Sequence, residues 1–374
     1  MLSRAATRRS YSTAVQAVVK TTARDTTGNL TNLTVVVNNS GSKAGKSGIS
    51  HLLSSFNFLN TGAKSALRFT RESELLGGQF SSNVTRDAIV LNTSFLKTDL
   101  PYYVEALGNV LSNTSFRPHE LVENVLPVVK SQYESAIKSN SYLALEELHE
   151  LSFRKGLGNP LLYDGTNKIT LDEIKEFAAQ SYTKSNISVF ASGAIEEDLV
   201  QFINDSSFSY LPSGDASSVA PVTLFKGKEA RIRSGGESAV FIGVPIKPTE
   251  FAKYEVLSAA IGSSILNSDI TAPLYKLAGV DASSSVLKYK DAGLFVISVK
   301  GSAAAVSTAA KQLKTIVDSA DVKAATKKAE LSIALQSTFE SPLSFKAEAT
   351  PVKLGAFNYV AIGEVDALPY ADEL

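Results

Sequence analysis

The chain of 374 residues contains no cysteine and no tryptophan, only three histidines, and a single methionine, the initiator. Without cysteine there is no disulfide framework, no thiolate-ligated zinc, no iron–sulfur ligation and no thiol nucleophile. No run of about 18 apolar residues exists to cross a bilayer, and long uncharged stretches, such as residues 26–42 and 256–268, are interrupted by Asn, Ser, Thr and Gly. A role at a membrane would therefore be that of a peripheral subunit. A surplus of charge is missing too: Lys+Arg and Asp+Glu stand at 37 each, whereas a surface that tracks nucleic acid needs excess basic side chains to neutralise phosphates. What is present, 44% hydrophobic and 20% charged residues, is the composition of a globular protein, long enough for two or three domains.

The first 24 residues hold five cationic side chains (Arg4, Arg8, Arg9, Lys20, Arg24), many hydroxyls, and no acid before Asp25. That is the make-up of a mitochondrial transit peptide, which anionic membranes and a negative-inside potential draw inward. Arg9-Ser10-Tyr11-Ser12 has the Arg, any residue, aromatic, small pattern of a processing site, so residues 1–11 are expected to be removed.

Sliding the sequence along itself reveals an internal repeat. At an offset of 206, Val35-Val36 falls on Phe241-Ile242, Ile89-Val90-Leu91 on Phe295-Val296-Ile297, and Lys130–Ser135 on Gln336–Ser341. The stripe Val104, Leu107, Val110, Leu111 falls on Ala310, Leu313, Ile316, Val317 in the spacing of one helix face. At 170, Ile187–Gly193 meets Phe357–Gly363. Between the halves lies a Ser/Gly/Pro-rich linker, residues 211–222. The expected organisation is two homologous domains, 12–210 and 223–374. Strands at 34–37 and 88–93 and helices at 102–111 and 321–339 predict an α/β (α+β) architecture, each domain a mainly antiparallel mixed sheet with helices packed on one face.

Two segments invite a chemical reading. Ser40-Gly41-Ser42-Lys43-Ala44-Gly45-Lys46-Ser47 resembles a phosphate-binding loop, but the G-x-x-x-x-G-K-S spacing demands Gly where Ser40 stands; a flexible loop between strand and helix is expected. Next comes Gly48–Gly62, with His51, Ser54 and Ser55 at positions i, i+3 and i+4. This segment resembles the helix of the pitrilysin-type (M16) zinc peptidases, G-x-x-H-x-x-E-H. There, two His bind Zn²⁺ from one helix face and the Glu activates the metal-bound water. Here only His51 matches, Ser54 and Ser55 replacing the Glu and the second His. The family's further Glu ligand falls on Ser131, with Glu134 three residues on. Glu134 has a repeat counterpart in Glu340 while His51 falls on Leu257, which favours a scaffold role for Glu134, such as a helix-surface ion pair. His119 sits at a helix start, and His149 lies in a segment, Leu148–Leu161, resembling a structural stretch of the family.

The resemblance runs from about residue 14 to the C-terminus, and it implies the LuxS/MPP-like metallohydrolase fold with no catalytic residue, no metal and no cofactor in this chain. The corresponding region, Ile261–Asp269, has one glycine and not the Gly-rich substrate loop of the non-catalytic processing-peptidase subunit. Within the family, the likeness therefore implies a structural core subunit of the mitochondrial ubiquinol–cytochrome c reductase, supporting its assembly and stability. Haem and the iron–sulfur cluster would reside in partner subunits. The partners implied are a core protein 1 type subunit, cytochrome b, cytochrome c1 and the Rieske protein, with this chain peripheral on the matrix side of the inner membrane. The alternative is the substrate-binding subunit of the mitochondrial processing peptidase.

Overall fold

The computed structural model describes residues 18–214, 222–266, 269–336 and 346–374. The transit segment, most of the linker, and residues 337–345 at the end of the expected last helix lie outside the described residues.

The first half runs β1 (Lys20–Arg24), β2 (Leu30–Asn38), α1 (Ile49–Phe56), α2 (Ala66–Leu75), β3 (Gln79–Val84), β4 (Ala88–Leu96) and α3 (Leu100–Ser112). It continues with α4 (Pro118–Glu120), a π-helical turn, α5 (Leu126–Ala136), α6 (Asn140–Phe153), α7 (Leu171–Ser181), β5 (Ile187–Ser192) and α8 (Glu196–Asp205). The second half contains β6 (Glu229–Arg233), β7 (Ser238–Ile246), α9 (Phe251–Ile261), β8 (Val280–Lys288) and β9 (Gly293–Gly301). It closes with α10 (Ala303–Ala310), α11 (Leu313–Asp318), α12 (Thr326–Gln336) and β10 (Asn358–Gly363). Asp321 opens a turn by accepting the Lys323 and Ala324 amides, so α12 begins at Thr326, later than the sequence predicts.

Both sheets have five strands in the same order, β1-β5-β2-β4-β3 and β6-β10-β7-β9-β8. Only the β1/β5 and β6/β10 pairs are parallel. The repeat is thus a repeat of topology, but its gap-free register is not real. Taking Ile89 as the equivalent of Phe295, the strand pairs Val37↔Ile89 and Val244↔Phe295 make Val37 equivalent to Val244. Val35-Val36 therefore corresponds to Ile242-Gly243, one residue beyond the expected match. Because strand side chains alternate faces, that single residue decides which side each occupies: Val35 and Ile242 both face their helical cores, whereas Phe241 faces away. A hydrogen bond from Ser54 to Ser82 likewise has its counterpart between Ser258 and Ser284. That pairing sets His51 opposite Glu255 rather than Leu257. Short length differences between the halves cancel over about a hundred residues, and an ungapped comparison cannot register them.

In β2, Leu33, Val35 and Val37 turn inward while Asn32 and Thr34 turn out, the alternation of a half-buried strand. The first core packs this inner face against Leu52, Leu53 and Phe56 of α1, Val104 and Leu107 of α3, and Ile174 of α7. The second uses Leu257 and Ile261 of α9, Val306 of α10 and Leu313 of α11 in the same way. The second sheet has an addition: β7 and β10 are buried at every residue, because α6 crosses from the first half onto its other face. Ala144, Leu148 and Phe153 of α6 meet Phe241, Leu294, Val296, Val360 and Ile362. Gly243 makes the approach possible, since a Cβ there would stand 2.7 Å from the Leu148 side chain. Asn140, at the start of α6, donates to the Gly235 and Glu237 carbonyls and so fixes the helix to the turn between β6 and β7.

Candidate functional site

Helix α1 starts after Gly48, whose φ of 89° suits glycine. The Tyr163 ring packs against that glycine so closely that a Cβ would lie 2.5 Å from it. This contact carries the Tyr163 backbone over the first turn, where its N–H donates to His51 Nδ1 at 3.0 Å. The other ring nitrogen, Nε2, is 2.6 Å from Gln132 Oε1 on α5. A backbone N–H can only donate, so Nδ1 is an acceptor and the proton sits on Nε2, pointing at the Gln132 oxygen. The imidazole is neutral, its pKa held below the ordinary value by burial, with the Gln132 hydrogen bond opposing the shift. Both nitrogens are engaged, and no lone pair remains for a metal.

The two hydroxyls in the positions of the Glu and second His are satisfied within the fold. Ser55 donates to the His51 carbonyl at 3.0 Å, one turn back. Ser54 exchanges a hydrogen bond with Ser82 of β3 at 2.8 Å. Asn57 donates to Ser82 at 2.9 Å and accepts from Tyr182 at 2.8 Å. A line of neutral hydrogen bonds from Tyr182 to Ser54 therefore occupies the ground where a carboxylate and an imidazole would stand. Burial raises the Tyr182 phenol well above its ordinary pKa, so it remains a proton donor in this line.

Ser131 is exposed on α5, and it is its neighbour Gln132 that hydrogen-bonds to His51. Glu134 is exposed and lies 3.8 Å from Lys130 in an i,i+4 pair, the surface ion pair expected of it. His119 is exposed beside Pro118. His149 is buried on α6, donating from Nδ1 to the Leu145 carbonyl at 2.6 Å and accepting at Nε2 from Tyr289 at 2.7 Å. Zinc sites need several deprotonated His, Cys or carboxylate ligands converging on one point. Among the described residues no three His, Asp or Glu are so grouped, and the residues present do not fit the metal.

The loop between β2 and α1 departs from expectation. It is tightly built: Ser40, Gly41, Ser42 and Lys43 are buried. Ser40 donates to the Val37 carbonyl and accepts from the Ile89 amide. Lys43 pairs with Asp87 and, at 3.2 Å, with Asp291. A lysine committed to two carboxylates is not available to a phosphate. The residues that sequence reasoning missed, Gln132 and Tyr163, carry no motif. Gln132 is one position past the expected ligand, and only the docking of α5 on α1 distinguishes it from Ser131.

Comparison with known proteins agrees with this geometry. The model of the insulinase family, peptidase family M16, matches residues 21–165, and that of the peptidase M16 inactive domain matches residues 168–331. The chain is 61% identical to the mitochondrial cytochrome b-c1 complex subunit 2 of Debaryomyces hansenii, over the full length of both. It is 41% identical to the protein of the same name from Saccharomyces cerevisiae, covering 94% of this chain and 95% of that one. The alpha subunit of the mitochondrial-processing peptidase of Solanum tuberosum is 29% identical over 52% of this chain and 38% of its own length. Among solved structures, a peptidase M16 inactive domain from Pseudomonas fluorescens superposes with a TM-score of 0.79, covering 97% of this chain and 99% of that one at 15% identity. That likeness bears on fold alone.

Proposed function

The chain belongs to the peptidase M16 family as a non-catalytic member, and from that premise we propose that it serves as a structural subunit of the mitochondrial cytochrome b-c1 complex. One observation carries the reading: 61% identity, over the whole of both sequences, to a protein of that name. The site is consistent with it. A neutral His51 held between Tyr163 and Gln132, with serines where the Glu and second His belong, has neither metal ligands nor a general base. His51, Ser54, Ser55 and Ser131 are, in this proposal, relics of a metal helix that now serve packing. No helix among the described residues is long and apolar enough to span a membrane, which suits a peripheral position, and we assign the matrix side of the inner membrane. Haem and iron–sulfur chemistry would belong to cytochrome b, cytochrome c1 and the Rieske protein. A core protein 1 type subunit would be the partner of similar fold, and the chain would contribute to assembly and stability. Residues 1–11 would be the removed transit segment, with domains at 12–210 and 223–374 joined by 211–222.

The test is a native gel of mild-detergent mitochondrial extract, probed for this chain and stained for haem. Co-migration with haem in a species of several hundred kilodaltons is expected. Migration as a small, haem-free, soluble heterodimer would overturn the proposal and favour a processing-peptidase partner.

A further inference from the structure

The halves also meet away from α6, and the loop that resembles a phosphate-binding motif is at the centre of that contact. The tip of the β8–β9 hairpin, residues 289–292, reaches back to the loop after β2 and the turn before β4. Lys43, its side chain 1% exposed, pairs with Asp87 of its own half and with Asp291 of the hairpin. The Lys290 amide donates to Asp87 Oδ2 at 3.0 Å, and the Lys290 ammonium donates to Asn39 Oδ1 at 3.3 Å. Tyr289 donates to His149 of α6. On the first-half side, Arg86 braces the same turn, donating to the Leu157 and Asn159 carbonyls at 2.9 and 2.7 Å and to Glu146 of α6 at 2.5 Å. Gly41 completes the socket: its backbone touches that of Arg86 and Ala88 with no room for a Cβ.

We propose that the Lys43–Asp87–hairpin junction is a latch that fixes the orientation of the two halves, making the chain a single rigid body. The apolar contact of α6 with the second sheet holds the halves together but is non-directional, and packed elements of this kind can slide by shear. Ion pairs and hydrogen bonds are directional, and they engage the second half at the hairpin tip, away from the centre of β7 and β10. A buried ammonium is costly unless paired, so Lys43 favours the one arrangement in which Asp87 and Asp291 are both beside it. This goes beyond the subunit assignment and holds whatever the chain assembles with.

Since the full chain has no cysteine, two spin labels can be placed without background removal, at Arg71→Cys on α2 and Lys314→Cys on α11, both exposed. The distance between them is expected to be single and narrow. Asp291→Asn removes the bond from Lys43 to the hairpin and leaves Lys43 with Asp87, while the Lys290 and Tyr289 bonds to the first half remain; it should widen the distribution at least twofold. Lys43→Met should widen it further and speed amide exchange at 289–292 together with 39–44. Unchanged widths in Asp291→Asn would overturn the latch. So would faster exchange at 39–44 alone, which would make Lys43 a support of its own loop. Should Lys43→Met fail to fold, Asp291→Asn decides the question by itself.

Discussion

The two sheets share strand order and directions yet face different surroundings. The first is covered by helices on one face and leaves Asn32, Thr34 and Asn92 on the other, where Thr34 donates across the strands to Asn92 at 2.9 Å. The second is enclosed on both, its outer face carrying Phe241, Leu294 and Ile362 beneath α6. The contrast is concentrated in one pair of equivalent residues: Val36, half-buried on the open face, and Gly243, bare beneath Leu148. A repeat conserves topology; what docks on it decides the side chains. The second half also depends on the first for part of its core, so the two are neither separate units nor interchangeable.

The difference can be broken most forcefully by giving Gly243 the side chain of its counterpart. Gly243→Val drives two methyl groups into Leu148 and should destabilise the chain by about 1–3 kcal/mol, the range for overpacking, seen as a lower midpoint in urea unfolding. Acid should act next, and on the α6 seam. Burial holds the His149 imidazolium down at about 3, against an ordinary 6.5. Between those values the unfolded chain binds a proton that the folded chain rejects, so stability falls with falling pH, by about 1.4 kcal/mol per unit from this group. Unfolding at pH 5.5 and 4.5 should show that slope, and His149→Gln should flatten it by nearly one proton; an unaltered slope would place the acid sensitivity elsewhere, His51 being the other depressed imidazole. The smallest effect belongs to the reverse exchange. Val36→Gly removes no helix contact and should cost only about 0.5–1 kcal/mol, the backbone cost of glycine in a strand. A loss as large as that of Gly243→Val would mean that the open face of the first sheet is covered after all.

Sequence patterns carried the strands well where one face is wet, as in β2, because alternation then has something to alternate between. They carried α3 through its apolar stripe and revealed that the metal helix is degenerate, since identities at fixed spacing are local facts. Three things escaped them. The register slip at Val35 needs strand partners to be seen. The destination of α6 is hidden because Ala144 and Leu148 announce burial without saying against which sheet. The rigidity of residues 40–43 was missed because Gly, Ser and Lys read as flexible until Asp87 and Asp291, far along the chain, are brought to Lys43. In each case the deciding contact is non-local.

The strand order has a consequence for how the protein is made. β5 lies between β1 and β2, and β10 between β6 and β7, so each sheet is completed by the last of its strands to emerge. Lys20 finds its partner only when Ser188 has been delivered, and Glu229 only when Tyr359 has. A chain supplied from its N-terminus must keep unpaired strand edges in each half until that half's last strand arrives, and contacts this distant in sequence form slowly. Its folding should depend on chaperones that shield those edges until the final strand slides into place.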